Sequence, residues 1–139
     1  MIDASSRAEI LTLFRSIQKN RGLAIMYITH DIATTKYYSD WIAVMYAGKI
    51  IEYGPTRTVL KNPLHPYTQA LIEAVPDPDP ENRFRIRPVI PGEPPNPINP
   101  PPGCRFHVRC PKRLDKCDKE EPPLKAVEKQ HYVACFLYV

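Results

Sequence analysis

Leu23-Ala24-Ile25-Met26-Tyr27-Ile28-Thr29-His30-Asp31 is the stretch on which the expected fold turns. Residues 23–28 are apolar or aromatic, with no proline and no charge. A short run of this kind reads as a strand buried on both faces. Such strands belong to parallel sheets of α/β proteins. There the C-terminal edge of a strand is where ligands bind. That edge here is Thr29, His30 and Asp31, the first candidates for chemistry. The simpler alternative is that Thr29 or Asp31 caps a following helix and His30 is a surface loop residue.

Working outward, residues 3–20 read as a helix. Asp3, Ser5 or Ser6 can cap it, and Glu9 follows Ser6 at the capping-box distance. Ala8, Ile10, Leu11, Leu13, Phe14 and Ile17 form one apolar face. Gly22 is placed to end the helix in the left-handed conformation. A helix, a tight turn and a buried strand make half of a βαβ unit, so the preceding strand is missing. This leads to the expectation of a piece of something larger. Beyond His30, Ile32–Tyr38 reads as a short helix. Trp41–Tyr46 and Lys49–Gly54, joined by Ala47-Gly48, read as a hairpin. A helix over 55–61 ends at Asn62-Pro63, and another over Tyr67–Val75 ends at Pro76-Asp77-Pro78.

Composition divides the chain in two. The sequence has 139 residues, a net charge of +4, 24% charged and 43% hydrophobic residues, which is ordinary for one soluble domain. No apolar run approaches the length of a membrane span, and no signal peptide opens the chain. None of the 17 prolines falls in residues 1–54, whereas 11 fall between Pro76 and Pro102. The expected domains are therefore residues 1–75, a Pro-rich linker at 76–103, and a lobe at 104–139. The two halves are expected to have separate cores. In the second half, Phe84, Ile86, Val89, Ile90, Ile98, Phe106, Val108 and Leu114 are core candidates, and residues 132–138 read as a strand.

The order of these pieces resembles the C-terminal part of an ABC-transporter ATPase subunit. Ile2-Asp3 is similar to the end of the D-loop, and Tyr27-Ile28-Thr29-His30-Asp31 to the strand and switch-histidine loop. Ser39–Gly54 is similar to the hairpin that follows. Asn62-Pro63-Leu64-His65-Pro66-Tyr67-Thr68-Gln69-Ala70-Leu71 resembles the oligopeptide/dipeptide importer branch, as does the Pro-rich, Cys-bearing tail. The resemblance implies an α/β fold: the C-terminal fragment of a nucleotide-binding domain followed by an irregular Cys-bearing lobe. It implies that His30 contacts the γ-phosphate and helps orient the attacking water, and that Asp3 faces a second subunit across bound ATP. No G-x-x-x-x-G-K-[ST] sequence is present, and the signature helix and Walker B carboxylates would lie before residue 1. Phosphoryl transfer depends on positioning and charge neutralisation. The fragment alone is expected to be inactive, with ATP and Mg bound only by the full-length subunit. The implied partners are a second ATPase subunit, as homo- or heterodimer, transmembrane permease subunits and, indirectly, a peptide-binding protein. The implied location is the cytoplasmic face of the membrane.

Cys104, Cys110, Cys117 and Cys135 follow the pattern C-x5-C-x6-C-x17-C. For a cytosolic subunit, disulfides are disfavoured. Zinc sites usually use closely spaced pairs, and none exists here. A four-thiolate iron–sulfur cluster tolerates wider spacing, and Cys110 is followed by Pro111. The resemblance points to a 4Fe-4S cluster on the four cysteines, with zinc as second choice and a structural role for the bound group. Arg105, Arg109, Lys112, Arg113, Lys116 and Lys119 could offset its charge. His107 and His131 read as outer groups around the ligands or as exposed residues. The alternative from another class is a stand-alone Cys-cluster module binding nucleic acid or protein through this basic run. It leaves the hairpin and His65-Pro66-Tyr67 unexplained, and basic runs are more often solvated faces. No nucleic-acid partner is therefore expected.

Overall fold

A computed structural model describes residues 4–75, 90–96 and 98–139. The chain forms two compact units, residues 1–39 and 40–139. Asp3, Phe84, Ile86, Val89 and most of the 76–103 segment lie outside the described residues.

The first unit is helical. α1 spans Ala4–Arg21 and α2 spans Ile32–Tyr38. α1 ends where Gly22 turns left-handed, with φ +64°, and the Leu23 amide donates to the Gln18 carbonyl at 3.2 Å. That bond satisfies a carbonyl orphaned at the helix end. α1 and α2 are tied by Arg15, which donates to the Tyr38 carbonyl at 3.2 Å, and by an Arg7–Asp31 ion pair at 3.3 Å.

The buried strand expected at 23–28 is not formed. These residues belong to no strand or helix, and Met26 and Ile28 are each 88% exposed. An apolar run becomes a strand only when neighbours supply backbone partners and cover both faces. Among the described residues, the rest of this unit offers two helices and no strand. The parallel sheet inferred from the run is likewise absent among the described residues.

The second unit is built on an antiparallel sheet. Its strands are β1 (Trp41–Tyr46), β2 (Lys49–Pro55), β3 (Lys125–Glu128) and β4 (His131–Val133), in the order β1-β2-β4-β3. The β1–β2 hairpin turns at Ala47 and Gly48, with φ values of +46° and +82°. Two positive φ values in a two-residue link are what a type I′ hairpin requires. α3 (Thr56–Lys61) and α4 (Pro66–Glu73) follow β2. α4 starts one residue before the expected Tyr67, with Pro66 in the first turn, where its missing N–H costs nothing.

β4 pairs with β2, matching Glu52 to Val133 and Tyr53 to Tyr132. The Cys-bearing segment therefore joins the hairpin in one sheet, contrary to the expectation of separate cores. The buried cluster confirms the sharing: Val44, Tyr46, Ile51 and Val59 pack with Phe106. The expected strand at 132–138 is shorter and shifted, because residues 135–138 leave the sheet in a turn. Trp41 stacks on Tyr53 at 5.2 Å between ring centres, and Tyr53 meets Tyr132 at 5.9 Å, so aromatic contacts run across three strands.

Candidate functional site

His30 lies in the bend before α2 and is exposed. The turn is fixed by its neighbours. The Asp31 carboxylate accepts the amides of Ala33 at 3.1 Å and Thr34 at 3.4 Å, and the Asp31 amide donates to the Thr29 hydroxyl at 3.0 Å. Thr29 and Asp31 are thus occupied in local capping, the simpler of their two readings. They hold His30 at the apex of a defined turn.

The second unit contains a buried polar centre that the sequence reading missed. Glu52 on β2 is 0% exposed. Its Oε1 accepts the Leu64 amide at 2.8 Å, and its Oε2 accepts the His65 amide at 2.9 Å. His131 Nε2 lies 2.8 Å from Oε1, and its side chain is also 0% exposed. A buried carboxylate is tolerable only with such donors. Hairpin alternation carried the signal: Glu52 pairs with Val44 and shares its inward face.

His65 explains the His65-Pro66-Tyr67 motif locally. Its Nδ1 accepts the Tyr67 amide at 3.1 Å and caps α4. Burial pushes the imidazole pKa down to about 4. The ring lies against Phe106, 1% exposed, which also meets Tyr46 and Tyr67 edge-on at 5.1 and 5.5 Å. The motif is therefore a dock for the segment carrying Cys104 and Cys110.

None of the four cysteines is in a disulfide; Cys117 and Cys135 are buried, and Cys104 and Cys110 half-buried. The Cys104 amide donates to the Cys117 carbonyl at 2.8 Å. The thiols share one neighbourhood. Burial first, and then the charges of the other three cysteines, push Cys104 up to about 11, opposed by a hydrogen bond from the Phe106 amide. Cys110 and Cys135 are raised mainly by burial and further by Cys117, and are opposed by the amides of Lys112 and Leu137. Cys117 Sγ accepts the Leu114 amide at 3.4 Å. Each sulfur therefore has a backbone donor aimed at it, the kind of support that thiolate ligands use. A groove of about 350 Å³ lined by Ile51, Arg105, Pro123 and Leu124 reaches Cys104.

Among the described residues, no group of three or more His, Cys, Asp or Glu side chains is placed to hold a metal ion. His107 and His131, read as outer or exposed groups, are both buried. His107 Nδ1 bonds the Cys104 carbonyl at 2.8 Å, and His131 serves Glu52.

The basic run is likewise committed within the fold. Arg105 donates to the Ala47 carbonyl, and Arg109 to the Pro91 carbonyl at 3.0 Å. Lys112 donates to Gln69 at 3.0 Å, Arg113 pairs with Asp118 at 2.6 Å, and Lys116 sits 4.3 Å over the Phe136 ring. Five of the six cations thus make internal contacts, which removes the main support for a nucleic-acid face. Among the described residues, no helix is long and apolar enough to cross a membrane.

A buried Glu–His centre, a capped His-Pro-Tyr helix start and a Cys segment docked on a hairpin make up the second unit, and sequence comparison shows what it is similar to. Residues 51–117 match the family described as "Oligopeptide/dipeptide transporter, C-terminal region". That match covers just under half of the chain. It is 42% identical over 99% of its length to YkfD of Bacillus subtilis, described as an oligopeptide transport ATP-binding protein, covering 42% of that protein. It is 44% identical over 96% of its length to y4tS of Sinorhizobium fredii, described as a peptide ABC transporter ATP-binding protein, covering 38%. It is 42% identical over 96% of its length to the oligopeptide transport ATP-binding protein OppF of Haemophilus influenzae, covering 41%. The chain thus spans about two fifths of the length of these relatives.

Proposed function

We propose that this chain is the C-terminal part of an ATP-binding subunit that powers peptide import, and that the stretch 76–103 links an ATPase portion, 1–75, to a Cys-bearing segment, 104–139. The observation that carries this reading is the relation over nearly the whole chain to peptide-transporter ATP-binding proteins. In the full-length subunit, His30 contacts the γ-phosphate from its capped turn, and Asp3 faces a second ATPase subunit across the nucleotide. ATP and Mg are held chiefly by residues outside this chain. The partners are that second subunit, the transmembrane permease subunits and, indirectly, a peptide-binding protein. The working location is the cytoplasmic face of the membrane.

Cys104, Cys110, Cys117 and Cys135 together hold a 4Fe-4S cluster in this reading, with zinc as the other candidate. Their common neighbourhood and the amide directed at each sulfur support it. When bound, the cluster acts as a covalent staple between residues 104–117 and the C-terminal turn. The test is metal analysis with an absorption spectrum of anaerobically purified protein. About four iron per chain with broad visible absorbance supports the cluster. One zinc per chain transfers the site to zinc, and neither metal removes the proposal.

A further inference from the structure

Cys135 stands apart from its three companions in sequence, and something must seat it among them. Cys104 and Cys117 are joined through the backbone, and Cys110 lies at the end of the 3-10 turn His107–Arg109 between them. Cys135 has no such link to them. It follows β4, a strand of three residues with two pairings to β2, extended by the Ala134 amide donating to the Ile51 carbonyl at 2.9 Å. So short a strand is weakly fixed in register, and a one-residue slip would turn every side chain to the other face.

The Glu52–His131 contact resolves that ambiguity. Glu52 is itself held by the Leu64 and His65 amides, so its carboxylate has a set orientation. His131 reaches it only when β4 lies in the observed register. Leu64, Val133 and Cys135 then form a buried cluster of their own. Gly54 lets the strands approach: a Cβ there would stand 3.0 Å from the Gln130 carbonyl and 3.4 Å from His131 Cα.

We propose that the Glu52–His131 pair is the positioning device that seats Cys135 beside Cys104, Cys110 and Cys117. This rests on the reading of the four cysteines as one site. Neither residue is one of the four thiols, although the Glu52 charge reaches Cys135. They act through β4, in a chain of contacts from the α4 cap to Glu52, His131 and Cys135.

The test is residue-resolved alkylation of the reduced 139-residue chain with iodoacetamide, comparing Cys135 with the equally buried Cys117. His131→Leu keeps bulk and removes the donor. Its Cys135 should label about tenfold faster than in the parent or more, the population shift expected for one lost charge-assisted hydrogen bond, with Cys117 unchanged. His131→Gln, which can still donate to Glu52, should restore most of the protection. Equal acceleration at both cysteines, no acceleration, or a glutamine variant that behaves like leucine would each overturn the proposal. Hydrogen exchange of the unmodified chain gives a check that needs no variant. The Leu64, His65 and Ala134 amides should open together, before the Val44 amide, and separate openings would contradict the device. Metal analysis of the same protein is independent: absence of iron and zinc would remove the metal reading while leaving the labelling ratio to decide this one.

Discussion

The His65 imidazole faces the Phe106 ring at 5.6 Å between centres, and this contact joins the helix-capping motif to the Cys segment. It also sets a pH dependence. Burial depresses the folded-state pKa of His65 from 6.5 to about 4. The unfolded chain therefore binds the proton more readily. The stabilising effect of a neutral His65 is complete above pH 6.5 and is lost as the pH falls toward 4. At most it is about 3 kcal/mol, at 1.36 kcal/mol per pKa unit. Chemical denaturation between pH 7 and 4 should show this loss, and His65→Asn, which can keep the cap, should flatten it.

Phe106 is the largest fully buried side chain of the second unit and touches Tyr46, His65 and Tyr67. Phe106→Ala should cost about 3–5 kcal/mol, because the surrounding rings cannot collapse into the space. Urea unfolding followed by tyrosine fluorescence measures it. A loss near 1 kcal/mol would mean that the segment is not docked there.

Gly103 is a second sensitive point. Its φ is +68°, and a Cβ would lie 2.5 Å from the Cys117 carbonyl and 2.8 Å from the Asp118 carbonyl carbon. Gly103→Ala should destabilise by on the order of 2–4 kcal/mol, through backbone strain and forced separation of Cys104 from Cys117. Gly22→Ala has the same φ problem and open space around it, so its cost should be about 1 kcal/mol. Thermal unfolding of the two variants should rank them in that order.

Local signals were legible in the sequence and long-range ones were not. The Ala47-Gly48 turn and the Gly22 stop each follow from the conformation of one or two residues, and the structure places both as expected, whereas α4 begins at Pro66, one residue before the expected Tyr67. Residues 23–28 show the limit. Their composition specifies an apolar strand, but a strand is a relation between segments, and no partner strand is present among the described residues of their unit. β3 went unread and β4 was read only as part of a strand over 132–138, because each is too short to show alternation and β4 pairs with β2 across a long sequence separation. Cysteine spacing likewise gave candidates without geometry: proximity of the thiols arises from docking on Phe106 and β2, not from x5, x6 and x17.

The most direct test of the central claim is the His30→Ala change in the full-length subunit, with ATP turnover and nucleotide affinity measured on the same preparation. The account predicts that kcat falls at least about a hundredfold while the Kd for ATP moves less than about threefold, as expected when a contact to the transferred group alone is removed. Equal losses in both, or unchanged turnover, would contradict the place given to His30 in an ATP-hydrolysing peptide importer.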